Sequence, residues 1–214
     1  MTKFSEIIRE NAEPFWSETV NHKFVHELAD GTLSKSAFIH YLVQDYAFFK
    51  HFVDLLSYAI VHAPEYQQVH QLAGFLSDVT NGENDYFLRS FKELGVNEKE
   101  YLNPNLNPVM QGFADTISKA TQTGYHDCLI VLSCAEWTYW TWANSVQNKR
   151  PTQFYFSEWI TLHNYPEFEK FVLWLRSELD RLSALPEEEQ RRLRDLFRHC
   201  CQLERDFFTY ALVK

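Results

Sequence analysis

Apolar residues recur every three or four positions along nearly the whole chain, and strict alternation is almost absent. The pattern predicts helix after helix. A first helical region spans about residues 3–28 and is bent or interrupted near Pro14. Ala29-Asp30-Gly31-Thr32 reads as a turn, with Gly31 suited to the position after a helix end. Ser34 is placed to cap a second helix, which runs to about His62, where Ala63-Pro64 breaks it. A third spans 65–93 and stops near Gly95. The loop over 103–108 follows, then helices over 109–123 and 126–147. The last three run from Thr152 to about Leu162, from Pro166 to about Leu182, and over 187–212. No linker, repeat or low-complexity tract divides the chain. The expected fold is therefore all-α, one domain over residues 1–214 built as a bundle of about seven to nine helices.

The same stripes carry acids where the core should be. On the second helix the series is Phe38, Leu42, Asp45, Phe49, Phe52, Leu56 and Ala59. Those spacings put Asp45 on the buried face. On the last helix, Leu193, Phe197, Cys200, Glu204, Phe207 and Ala211 turn Glu204 inward. Glu136 shares a face with Leu129, Leu132, Ser133, Trp140 and Ala143, although that helix is apolar nearly all round. Glu83 follows Leu72, Leu76 and Val79 in the same manner. A carboxylate among Phe side chains costs several kcal/mol unless it is protonated, paired or hydrogen-bonded. One such acid is best explained by a structural partner. Several, on separate helices, point to a polar pocket in which the acids raise one another's pKa and divide acid and base roles.

Composition narrows the chemistry. A chain of 214 residues can bury a core without metal or disulfide staples. Only 6 Gly and 7 Pro argue against a turn-rich β sandwich and a Gly-rich phosphate loop. A net charge of −9 makes nucleic acid and anionic membranes poor partners. Arg191-Arg192-Leu193-Arg194 follows three glutamates and reads as a salt-bridged helix surface. Cys128, Cys134, Cys200 and Cys201 form no CxxC pair and read as reduced thiols. No secretory h-region and no apolar run long enough to span a bilayer is found, so a cytoplasmic location is expected. No Glu has His three residues on, so a di-iron site is not expected. His22 and His26 read as solvated surface, and no single His stands out as a haem ligand. Neither metal nor other cofactor is expected.

Aromatics are abundant, with 18 Phe, 11 Tyr and 6 Trp, and most must be core. Some of Tyr46, Phe48, Phe49, Tyr139, Trp140 and Phe207 could instead line a slot for a flat heteroaromatic ring. A carboxylate at the ring edge would accept from an exocyclic amino group.

Several blocks resemble the TenA family, also called thiaminase II or aminopyrimidine aminohydrolase. They are His22-Lys23-Phe24, Leu28-Ala29-Asp30-Gly31-Thr32-Leu33, Phe38 and Tyr41-Leu42-Val43-Gln44-Asp45-Tyr46. The likeness continues through Glu83, Phe91, Gly95, Glu136-Trp137-Thr138-Tyr139, Glu158-Trp159-Ile160 and Leu203-Glu204-Arg205-Asp206-Phe207-Phe208. The resemblance implies a haem-oxygenase-like fold without haem, commonly assembled as a homodimer or homotetramer. It also implies salvage of thiamin fragments, by hydrolysis at the aminomethyl group of 4-amino-5-aminomethyl-2-methylpyrimidine. On that likeness Asp45 matches the pyrimidine-binding aspartate, Glu204 the catalytic glutamate and Tyr139 a pocket tyrosine.

Three positions depart from the family pattern. Most members carry a nucleophile in Cys-x-Trp-x-Tyr, but Trp137 and Tyr139 put Ala135 in its place. Cys134 is one residue early, about 100° round the helix. Glu136 follows the vacant position, as in the TenA_E subgroup, which is associated with the aminopyrimidine and its N-formyl derivative. His163 and Phe113 stand where tyrosines would be expected, as substrate-binding candidates beside Phe48 and Glu83. The implied mechanism has Asp45 on the pyrimidine, Glu204 as general acid and base, and Glu136 either activating water or attacking covalently. The rival reading is a non-catalytic bundle that binds an aminopyrimidine or a protein. A cofactor-free oxidase like pyrroloquinoline quinone synthase C would need basic pocket residues, and acids stand at the inward positions instead.

Overall fold

A computed structural model describes residues 2–213, and all its regular elements are helical. Three short helices open the chain: α1 (Phe4–Asn11), α2 (Phe15–Val20) and α3 (Lys23–Ala29). The long α4 (Lys35–His62) follows, then α5 (Tyr66–Asp78), a π-helical turn (Val79–Glu83) and α6 (Asn84–Leu94). Next come α7 (Glu98–Leu102), α8 (Pro108–Thr123) and α9 (Tyr125–Ser145). The chain closes with α10 (Phe154–Leu162), α11 (Pro166–Arg181), a single 3₁₀ turn (Leu182–Ala184) and α12 (Glu187–Leu212).

Twelve α-helices among the described residues exceed the seven to nine expected. The N-terminal region is split at Pro14, as its sequence suggested, and again at Asn21. There His22 is no solvated bystander: its Nδ1 accepts from the Phe24 amide at 3.1 Å and caps α3. The helix expected over 65–93 is interrupted by the π turn. The extra helix α7 starts at a reciprocal capping box between Asn97 and Glu100.

Other boundaries follow local chemistry. Ser34 Oγ accepts from the Ala37 amide and starts α4. Asn107 Oδ1 accepts from Val109 and Met110, with Pro108 at the first position of α8. Gly95 ends α6 at φ 72°, a left-handed conformation that a Cβ would strain.

The architecture is organised around α9. Its residues are buried on nearly every side from Asp127 to Tyr139, because α4, α8, α11 and α12 pack around it. That all-round burial explains why its sequence lacks a clean polar face. The basic run of α12 pairs with its neighbours, Arg194 with Glu187 and Arg192 with Glu189. Arg192 also makes two 2.7 Å bonds to Asp127 and so ties α12 to the start of α9. No helix is long and apolar enough to cross a membrane among the described residues.

Candidate active site

Where α4, α8, α9, α10 and α12 face one another, the bundle leaves a cavity with about 540 Å³ of empty space, its mouth included. Asp45, Phe48, Glu83, Phe113, Glu136, Tyr139, His163 and Glu204 all line it. Eight residues singled out from the sequence thus meet at one place. Asp45 and Phe48 come from α4, Phe113 from α8, Glu136 and Tyr139 from α9, and Glu204 from α12. His163 caps the end of α10. Glu83 is delivered by the π turn, whose extra residue per turn changes the direction of the side chains that follow.

Rings make the walls. Phe48 meets Phe113 edge-to-face, with centroids 5.4 Å apart, and Phe49, Phe207 and Trp159 are among the other apolar lining residues. Tyr46 and Trp140 do not line the cavity. Tyr46 lies among rings of α6 and α7, and its hydroxyl donates to Asn84 at 3.0 Å. Tyr41 escaped the sequence reading as a site residue. It is fully buried behind Asp45, and its hydroxyl lies 2.7 Å from that of Tyr139. The available signal was its position one helical turn before Asp45.

The four acids share this space without a counter-charge, for no Lys or Arg lines the cavity. Glu136 and Glu204 are 8% and 4% exposed, and Asp45 and Glu83 are half-buried against the cavity. Burial pushes the Asp45 carboxyl up to about 7, against an opposing pull from the Tyr41 hydroxyl. Burial first, and then the charge of Asp45, push Glu83 to about 8. Glu204 rises well above the carboxylate range for the same two reasons. Glu136 does so through burial and then repulsion from Glu83, Glu204 and Asp45. The cavity therefore favours the protonated forms of its acids near neutrality. His163 goes the other way: burial lowers it to about 4, so the ring is neutral. Its Nδ1 donates to the Trp159 carbonyl at 2.8 Å, leaving Nε2 as an acceptor.

These shifts make a stability prediction. An acid whose pKa is raised on folding binds more protons folded than unfolded, so stability falls as pH climbs between the two values. For Asp45 that interval runs from the ordinary 3.8 to about 7. Asp45→Asn removes the penalty. The variant melts several degrees above the wild type at pH 8, and the gain disappears near pH 4. Melting curves at both pH values check it, and a gain that is largest in acid would contradict the assignment.

Cys134 takes no part in the cavity surface, whereas its neighbour Ala135 does. The Cys134 Sγ is fully buried, 3.4 Å from Cys201 Sγ, and burial drives its pKa well above the thiol range. That is the environment of an inert core thiol. No group of three or more His, Cys, Asp or Glu side chains among the described residues is arranged to hold a metal ion.

The chain has clear relatives. It is 26% identical to an aminopyrimidine aminohydrolase of Helicobacter pylori, over 97% of each chain. It is 26% identical to another from Halalkalibacterium halodurans, over 97% of this chain and 95% of that one. Among solved structures, a TenA homologue from Pyrococcus furiosus superposes with a TM-score of 0.87 at 24% identity, covering 97% of this chain and 99% of that one. A TenA family protein from Silicibacter, described as a transcription regulator, gives 0.88 at 22%, covering 100% and 98%. These neighbours share the all-α, haem-oxygenase-like fold. Residues 9–214 match the TENA/THI-4/PQQC family. Nearly the whole chain is thus accounted for by one family, and the protein belongs to the TENA/THI-4/PQQC family.

Proposed function

We propose that the chain is an aminopyrimidine aminohydrolase that salvages thiamin fragments. It replaces the amine of 4-amino-5-aminomethyl-2-methylpyrimidine, or of its N-formyl derivative, with a hydroxyl. The observation that carries this reading is the set of four acids, free of Lys and Arg, in a cavity walled by aromatic rings. Rings hold a flat heterocycle, and acids at its edge accept from amino groups. The names of the full-length relatives support the same substrate class.

In this reading Asp45 binds the amino edge of the pyrimidine, held in place by Tyr41 and Tyr139. Phe48, Phe113 and Tyr139 flank the ring, and His163 offers a neutral acceptor. Glu204, protonated in the resting cavity, gives its proton to the departing amine. Glu136, ionised as the cationic substrate enters, activates the water or attacks the methylene itself. Glu83, whose pKa burial raises, gains negative charge as the cationic amine approaches. The amine's charge in turn relieves the repulsion among the acids, so binding and ionisation favour each other. The register of Trp137 and Tyr139 around Ala135 supports placing the chain with the members that use Glu in place of Cys. Assembly as a homodimer or homotetramer, and a cytoplasmic location, belong to the same reading; light scattering measures the first.

Purified protein given the aminomethyl pyrimidine releases ammonia, and does so equally after dialysis against a metal chelator. Loss of activity on chelation, restored by a stoichiometric metal, would overturn the metal-free mechanism.

A further inference from the structure

On the side of the π turn the catalytic cavity adjoins a second chamber. Glu83, Glu136 and His163 line both spaces. The rest of the second wall comes from the end of α5, the π turn and the start of α11, and includes Ser77, Asp78, Asn81, Gly82 and Tyr165. Asp78 and Tyr165 also line a shallower groove beyond it, between α5 and α11. The chamber therefore lies between the buried acids and the surface.

Three observations say what belongs there. Glu136 is more than nine-tenths buried, faces both spaces, and makes no hydrogen bond or ion pair within the described chain. The chamber has Asp78, Glu83 and Glu136 in its wall and neither Lys nor Arg. Its glycine is not there for backbone reasons: Gly82 has no left-handed φ, and a Cβ built on it meets no atom within 4 Å. Space at this wall is open, and apart from the neutral His163 and Tyr165 its ionisable side chains are all acids. Tyr165 fits the same picture, for burial and then the charges of Asp78, Glu136 and Glu83 push its phenol up to about 12. It remains a neutral hydrogen-bond donor.

We propose that this chamber is the leaving-group site, and that it accepts positively charged amine substituents and rejects anionic ones. The inference rests on the hydrolase reading and extends it to the nitrogen side of the scissile bond. Water's oxygen bonds to the methylene carbon as the C–N bond breaks. The substituent enters as an ammonium; the bonding pair goes to its nitrogen, which takes the proton that water gives up by way of the cavity acids, and the freed amine passes into the chamber as a cation. No co-reactant besides water is needed. Asp78 faces that cation, whose charge also favours ionisation of Glu83, and a carboxylate on the same substituent would meet acids with no Lys or Arg to offset it.

The test uses three pyrimidines that differ only at the methylene nitrogen: the primary amine, an N-(2-aminoethyl) derivative and an N-carboxymethyl derivative. The wild type is expected to cleave the aminoethyl compound with a kcat/KM about tenfold or more above the carboxymethyl one, the effect of one charge contact near a surface. Asp78→Lys shrinks or inverts that ratio. Gly82→Trp lowers kcat/KM for both substituted compounds relative to the primary amine. Equal cleavage of cation and anion by the wild type, or ratios that neither variant alters, would overturn the chamber's role while the primary amine still turns over. Failure on the primary amine itself would instead sink the hydrolase reading, and the chamber proposal with it. Both positions are exposed, so melting curves suffice to exclude misfolding.

Discussion

Glu136→Gln lowers kcat by roughly 10²-fold or more, whereas Cys134→Ser keeps most of the activity. Glutamine keeps the size of the side chain and removes its ability to carry a proton or act as a nucleophile. Burial and the neighbouring acids raise the Glu136 pKa well above the usual carboxylate range, so the amide replaces a group whose charge the site disfavours and the fold should tolerate it. Cys134 lies outside the cavity and against Cys201, where serine costs packing and leaves the chemistry alone. Ammonia release at saturating substrate separates the two variants. A folded, inactive Cys134→Ser beside a fully active Glu136→Gln would return the nucleophile to the thiol.

Glu204→Gln produces a loss of similar or greater size, roughly 10² to 10⁴-fold in kcat. An amine without its extra proton would leave as an anion, a far worse leaving group, and Glu204 is placed to supply that proton and keep it on nitrogen. Glu204 is the natural donor because burial and the charge of Asp45 raise its pKa well above the usual carboxylate range and so favour its protonated form. The loss should fall on kcat and leave KM largely unchanged, since Asp45 and the rings still hold the pyrimidine. A variant with normal kcat and a raised KM would make Glu204 a binding residue only.

Much of the fold could be read from the chain because helical stripes are strong and capping residues local. Ser34, Pro108, Gly95 and Pro166 mark their helix ends without help from tertiary structure. Glu204 and Asp45 betrayed themselves as acids inside apolar stripes, a conflict between burial and charge that only another part of the fold can resolve. Other features were less visible. The break at Asn21 and the short α7 depend on single caps, and the Asn97 to Glu100 spacing was the one clue to the latter. The π turn has no periodic signature, since one extra residue in a turn does not disturb a short stripe. Yet that turn carries Glu83 and forms the border of the second chamber. Tyr41 and Tyr165 matter through contacts between helices far apart in sequence, which periodicity does not encode. The aromatic count could not separate lining from filling: Phe48 and Phe207 face the cavity, while Tyr46 and Trp140 do not.

Hydrolysis in the acid-lined cavity and mere binding of an aminopyrimidine leave different products behind. The most direct test is mass spectrometry of the pyrimidine recovered after many turnovers in isotopically labelled water, with ammonia counted in the same sample. Hydrolysis yields a hydroxymethyl pyrimidine carrying one labelled oxygen for each ammonia released, in molar excess over the enzyme. Recovery of the intact aminomethyl compound, bound one to one and with no ammonia, would make the protein a binding module.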